Sequence, residues 1–143
     1  MLNPNAHQEG GDHYNSEYQH WDFVLNSLGG RYLEGCVTKY VARWMKKNGL
    51  EDLKKAAHYL DKIMDPATHY ERQPYDQESF KARMADAAKF CDLNDCGPKE
   101  TAIIEVMATW TVPDDLLFAR GILGLLIEHV EAYPHLFKIR KSV

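Results

Sequence analysis

Residues 31–64, RYLEGCVTKYVARWMKKNGLEDLKKAAHYLDKIM, decide the fold. Leu33, Cys36, Val37, Tyr40, Val41 and Trp44 recur at i, i+3, i+4 and i+7, the spacing that lines up one buried helix face. Asn48-Gly49 stops this helix, because glycine enters the left-handed conformation without steric cost. A second stripe follows at once: Leu53, Ala56, Ala57, Leu60 and Ile63, in a helix over residues 50–64. So short a link joins the two helices as an antiparallel hairpin.

Working outward, residues 1–17 are polar, rich in Gly, Asn and His, and without period, which reads as an N-terminal arm. A short apolar helix over 21–28 ends at Gly29-Gly30 and belongs with the hairpin in a region spanning 18–65. Pro66 closes the hairpin, and residues 66–76 form a linker. Residues 77–91 predict an amphipathic helix through Phe80, Met84, Ala87, Ala88 and Cys91. After a turn at 94–97, Pro98 suits a first helical position, and that helix runs to about residue 110. Pro113, followed by Asp114 and Asp115, opens a last helix to about residue 133. It is apolar on most sides, and Gly121 and Gly124 within it would let a neighbouring helix approach closely. No alternating run is bounded by turn residues, so no sheet is expected. The expectation is an all-α bundle of about six helices around the hairpin, with 77–143 packing on the first half.

At 143 residues, 45% hydrophobic and 27% charged, the chain is one globular domain. Cys36, Cys91 and Cys96 are an odd number without paired short spacing, which argues for a reducing compartment and no disulfide framework. No metal site is expected, since no His or Cys lies at ligand spacing beside Cys91 and Cys96. The start of the chain lacks the basic and apolar regions of a secretory signal. The most apolar stretch, 116–130, is interrupted by Arg120, Glu128 and His129, and a bilayer span needs about 20 apolar residues. A cytoplasmic protein without a membrane partner is the reading. A net charge of −4 gives no strong nucleic-acid signal.

The hairpin is basic within this acidic chain. Arg31, Lys39, Arg43, Lys46, Lys47, Lys54, Lys55 and Lys62 face Glu34, Glu51, Asp52 and Asp61, a local charge of +4. Lys39, Arg43 and Lys46 share one helix face by spacing, and Asp52, Lys55, Tyr59 and Lys62 share one on the second helix. If the faces converge, they form a cationic pocket for phosphate, which Arg grips with two hydrogen bonds and Lys with a point charge. The same spacing also fits a solvated surface laced with ion pairs. Gly10-Gly11-Asp12-His13-Tyr14 is a second candidate, a loop whose backbone can approach a ligand beside a donor and a stacking ring. His58, His129 and His135 read as surface or half-buried residues, and Trp44 and Trp110 as packing.

No phosphate loop ending in Gly-Lys-Ser/Thr is present, nor His-Glu-x-x-His, nor Gly-x-Ser-x-Gly. The Glu-Glu-x-x-Glu cluster that helical nucleotide pyrophosphatases use for magnesium is missing too. The run Asp12-His13-Tyr14, Asp22-Phe23, then Lys39-Tyr40-Val41-x-Arg43-x-x-Lys46-x-x-Gly49-x-x-Asp52-Leu53-x-Lys55-Ala56-x-x-Tyr59-Leu60 is distinctive. Over residues 10–63 it resembles a family of small phage-encoded proteins long known as a domain of unknown function. One branch of that family is a nucleotide kinase acting on deoxynucleoside monophosphates without a phosphate loop. Cys36 departs from the family, which often carries Asn after Gly at this place.

The resemblance implies a phosphoryl transfer from a nucleoside triphosphate donor, with magnesium as a possible companion, in the cytoplasm of an infected bacterial host. It assigns Arg43, Lys39 and Asp52 to catalysis and His13, Tyr14, Lys46, Lys55 and Tyr59 to substrate and phosphate binding. Such chemistry rests on positioning and charge neutralisation. The alternative is a non-catalytic phage protein that binds or sequesters a nucleotide, or inhibits a host or defence component, with the same pocket. In both readings a hairpin that cannot bury both faces alone favours a homo-oligomer.

Overall fold

A computed structural model describes residues 18–28, 31–68 and 75–139. Of these, 81% are helical and none lies in a strand, so the described chain is all-α. Six α-helices follow one another: α1 (His20–Ser27), α2 (Tyr32–Arg43), α3 (Leu50–Met64), α4 (Gln77–Leu93), α5 (Pro98–Thr109) and α6 (Pro113–Ala132). Short 3-10 turns occupy Trp44–Lys46, Pro66–Thr68 and Pro134–Leu136.

Three helix starts share one device, an aspartate in the third helical position reaching back to main-chain N–H groups that lack helical partners. In α1, Asp22 accepts from the Gln19 N–H at 2.9 Å. In α3, Asp52 accepts from the Asn48 N–H at 3.2 Å. In α6, Asp115 accepts from the Thr111 and Val112 N–H groups at 3.0 and 3.4 Å. Pro98 and Pro113 each open their helix, where the missing N–H costs nothing.

α2 and α3 pack against each other as the expected hairpin, through Val37, Val41, Leu53, Ala56 and Leu60, all fully buried. α5 covers α2, α6 covers α3, and α4 packs on both α1 and α5. The chain's own α5 and α6 thus cover much of the hairpin's apolar surface. Between α1 and α4 the Phe23 and Phe90 rings stack at 4.7 Å, 6° from parallel, and Ser27 donates to Asp86 at 2.6 Å.

Two packing expectations need correction. The buried face of α4 runs through Ala87, Phe90 and Cys91, while Phe80 and Ala88 are exposed. Phe90, stacked on Phe23, sets the rotation of that helix. Gly121 and Gly124 of α6 meet no neighbouring helix: a Cβ at Gly121 would touch nothing within 4 Å, and one at Gly124 only Arg120 of its own helix. α6 instead buries Leu116, Ala119, Leu123, Leu126 and Val130 and leaves Leu117, Phe118 and Leu125 outside, which is why it reads as apolar on most sides. No described helix is long and apolar enough to cross a membrane.

Leu60 is fully buried where α3 meets its neighbours. Leu60→Ala is expected to cost about 2–5 kcal/mol in urea unfolding through lost transfer energy and a residual cavity, with the denaturant slope unchanged.

Candidate functional site

The hairpin turn is built around one carboxylate. Asp52 has no exposed side-chain surface; its oxygens take Arg43 Nε and Nη2 at 3.3 Å each and the Asn48 main-chain N–H and Nδ2 at 3.2 and 3.3 Å. α2 ends at Arg43, one 3-10 turn follows, and Gly49 adopts φ +61° to start α3. A side chain at Gly49 would also press on Ile139, 3.0 Å from the built Cβ position.

That geometry divides the residues singled out in the sequence. Lys39, Tyr40, Arg43, Lys55 and Tyr59 come together. The Tyr40 ring has Arg43 Cζ 4.8 Å from its centroid and Lys39 Nζ and Lys55 Nζ each at 5.6 Å. Tyr40 stacks on Tyr59 at 5.9 Å and 14°, and Tyr32 meets Tyr59 edge-on at 6.2 Å. Lys46 does not join them. The 3-10 turn carries it off the α2 face, and its Nζ donates to the Asn94 carbonyl at 3.0 Å, 3.9 Å from Asp95. Asp52 lies under the hairpin as the partner of Arg43 rather than in the open cleft. His13 and Tyr14 lie outside the described residues.

Two cavities meet at the tyrosine stack. One of about 580 Å³ is lined by Tyr40, Leu50, Lys54, Lys55, His58 and Tyr59, with Glu51 at its edge. The other, about 320 Å³, runs between α1 and α2 past His20, Arg31, Tyr32, Cys36 and Lys39. Cys36, the departure from the resembled pattern, thus lines the second cavity. Lys39 is exposed and has no acidic partner within ion-pair distance among the described residues. Lys55 is held by Glu51 at 3.5 Å, an exposed pair that a better anion can exchange. Among the described residues no three His, Cys, Asp or Glu side chains are grouped for a metal ion.

Several residues here escaped the sequence reading. Glu34, fully buried, accepts from Trp110 Nε1 at 3.3 Å and pairs with Arg31 at 3.1 Å. Trp44 Nε1 donates to Glu100 at 3.1 Å. Both tryptophans pack in the core as expected, and each also ties the hairpin to α5 or its end. The signal was present, since a buried indole N–H needs an acceptor. Tyr32 stands two helical turns before Tyr40, and its phenol, hydrogen-bonded to Cys36 and Tyr59, is pushed up to about 12. His20 Nε2 meets Thr38 Oγ1 at 2.8 Å while that hydroxyl donates to the Gly35 carbonyl. Burial, then the charge of Lys39, pushes His20 down to about 4. His58, His129 and His135 are exposed.

Residues 8–61 match the model of a family described as a protein of unknown function (DUF3310). No curated protein and no solved structure matches the chain. The expected kinase-family identity is thereby corrected: the family that the chain is similar to carries no assigned activity.

Removing Asp52 leaves Arg43 half-committed to a buried site without its counter-charge, so Asp52→Ala is expected to cost about 3 kcal/mol or more in denaturant unfolding. His20 adds a pH dependence of defined sign. Its folded value of about 4 lies below the ordinary 6.5, so the unfolded chain binds the extra proton first. Its stability contribution is complete above pH 6.5 and is lost as pH falls toward 4. Unfolding midpoints should fall between pH 6.5 and about 5, ahead of most carboxylate titration, and His20→Gln should flatten that slope.

Proposed function

We propose that the tyrosine-lined cleft of the hairpin binds a nucleotide or nucleotide-derived molecule and holds it without catalysis. The observation that carries this reading is the clustering of Lys39, Arg43 and Lys55 around one face-stacked tyrosine pair, with a cavity on each side. A nucleotide is a planar π system joined to a compact polyanion. Tyrosine rings offer the base a stacking surface worth about 1–3 kcal/mol. Lys39 and Lys55 offer the phosphate charge at the mouth, where the exposed Lys39 has little local competition. Tyr32, protonated throughout the physiological range, supplies a hydroxyl to the sugar or base.

Binding is favoured over phosphoryl transfer because the chain already uses the groups that catalysis would need. Arg43 and Asp52 hold each other, Lys46 is docked on the α4–α5 turn, and the described residues of the cleft supply one cationic cluster. A transferase must bring donor and acceptor phosphates together and neutralise both. Magnesium, where present, would accompany the nucleotide's phosphates.

The test is calorimetric titration with deoxynucleoside mono-, di- and triphosphates, each with and without magnesium, followed by chromatography of the same mixtures. Saturable binding that weakens with salt and falls about tenfold in Lys39→Gln, at unchanged circular dichroism, is the expected result. Absence of binding across the set overturns the reading. A diphosphate formed from a monophosphate and a triphosphate would replace it with a transferase.

A further inference from the structure

α4 ends in a Schellman turn. The Cys96 N–H donates to the Cys91 carbonyl at 3.0 Å and the Asp95 N–H to the Asp92 carbonyl at 3.3 Å. Asp95 takes the left-handed conformation at φ +55°. In this motif the residues joined by the outer hydrogen bond commonly bring an apolar contact over the turn. Here both are cysteines. That outer bond sets Cys96 across the turn from Cys91, two residues before α5 begins. Cys91 is buried, Cys96 is half-buried, and both are free thiols. The odd cysteine of the sequence is therefore Cys36, which lines the ligand cavity far along the chain.

We infer that Cys91 and Cys96 form a reversible dithiol–disulfide couple, a modification site for low-molecular-weight disulfides. The backbone turn has already brought the two residues together, so closure needs rotation of side chains rather than movement of helices. The loop between them is short, so a bond here gains little from restricting the unfolded chain and stays open to reduction. Cys96 is the sulfur a reagent can reach. Cys96, once it has given up its proton to solvent, attacks the small disulfide; one thiolate leaves and takes up a proton as a reduced thiol, and a mixed disulfide remains on Cys96. Cys91, as thiolate after losing the second proton, attacks the Cys96 sulfur of that adduct. The second reduced thiol leaves. The protein loses two protons and two electrons, and the reagent's disulfide gains them as two thiols.

The folded full-length chain is incubated with a large excess of oxidised glutathione, acid-quenched, alkylated with N-ethylmaleimide and digested with trypsin. Cleavage after Lys89 and Lys99 places both cysteines in one peptide, residues 90–99. The expected product is that peptide two hydrogens lighter and without label, restored to doubly labelled form by dithiothreitol. Cys91→Ala should trap glutathione on Cys96, while Cys36→Ser should leave the couple unchanged. A wild-type peptide that stays doubly labelled, or that keeps glutathione on Cys96 with Cys91 labelled, overturns the inference.

Discussion

The Asp52 carboxylate is the constraint around which the hairpin is arranged. A carboxylate with no exposed surface is tolerated only when its charge and lone pairs are satisfied, and both oxygens are occupied by Arg43 and Asn48. Meeting that demand fixes where α2 stops, how the chain turns through Gly49, and how α3 is rotated when it leaves. Tyr40 stands one turn before Arg43, and Tyr59 two turns after Asp52. Once Arg43 and Asp52 are joined, the two rings have to face each other. The cleft is thus a consequence of the buried ion pair, set by helical spacing on either side of it.

The hairpin divides its cations by chemistry. Arginines go to the buried carboxylates: Arg43 to Asp52 and Arg31 to Glu34, where a planar, weakly hydrated group loses least on leaving water. Lys39 and Lys55 stay at the rim, where a strongly hydrated ammonium can remain wet and exchange partners. Glu34 extends the arrangement into the second half, since Trp110 at the end of α5 donates to it. The positive hairpin of a negative chain is in large part internal neutralisation, and the charge left over for a ligand sits on Lys39 and Lys55.

The hairpin, the proline-opened helices and the all-α class were legible because each rests on local signals: a helical stripe, a glycine stop, a proline start. Tyr40 was legible as part of the helical stripe; its half-buried stack on Tyr59 was not. Spacing failed at Lys46 for a specific reason. It assumes an unbroken helix, and a 3-10 turn at Trp44–Lys46 redirects the side chain. It failed at α4 because a weakly amphipathic helix takes its rotation from its partners, here the stack of Phe90 on Phe23. Charge counting could not separate an arginine spent on a buried acid from a lysine facing solvent. Pairs distant in the chain, such as Trp110 with Glu34, leave no local trace.

Lys46 nevertheless has a place in the design. Its ammonium caps the carbonyl of Asn94, at the end of α4 where helix carbonyls lack partners and the dipole favours a cation. It therefore fastens the hairpin to the turn that aligns Cys91 and Cys96, just as Trp44 fastens it to Glu100 in the first turn of α5. These two contacts come from one 3-10 turn, three residues long, lying between the Arg43 that holds Asp52 and the Gly49 that starts α3. The hairpin and the α4–α5 turn are thus joined through Lys46 and Trp44, and the residue that spacing had put in the cleft is one of the two that connect them.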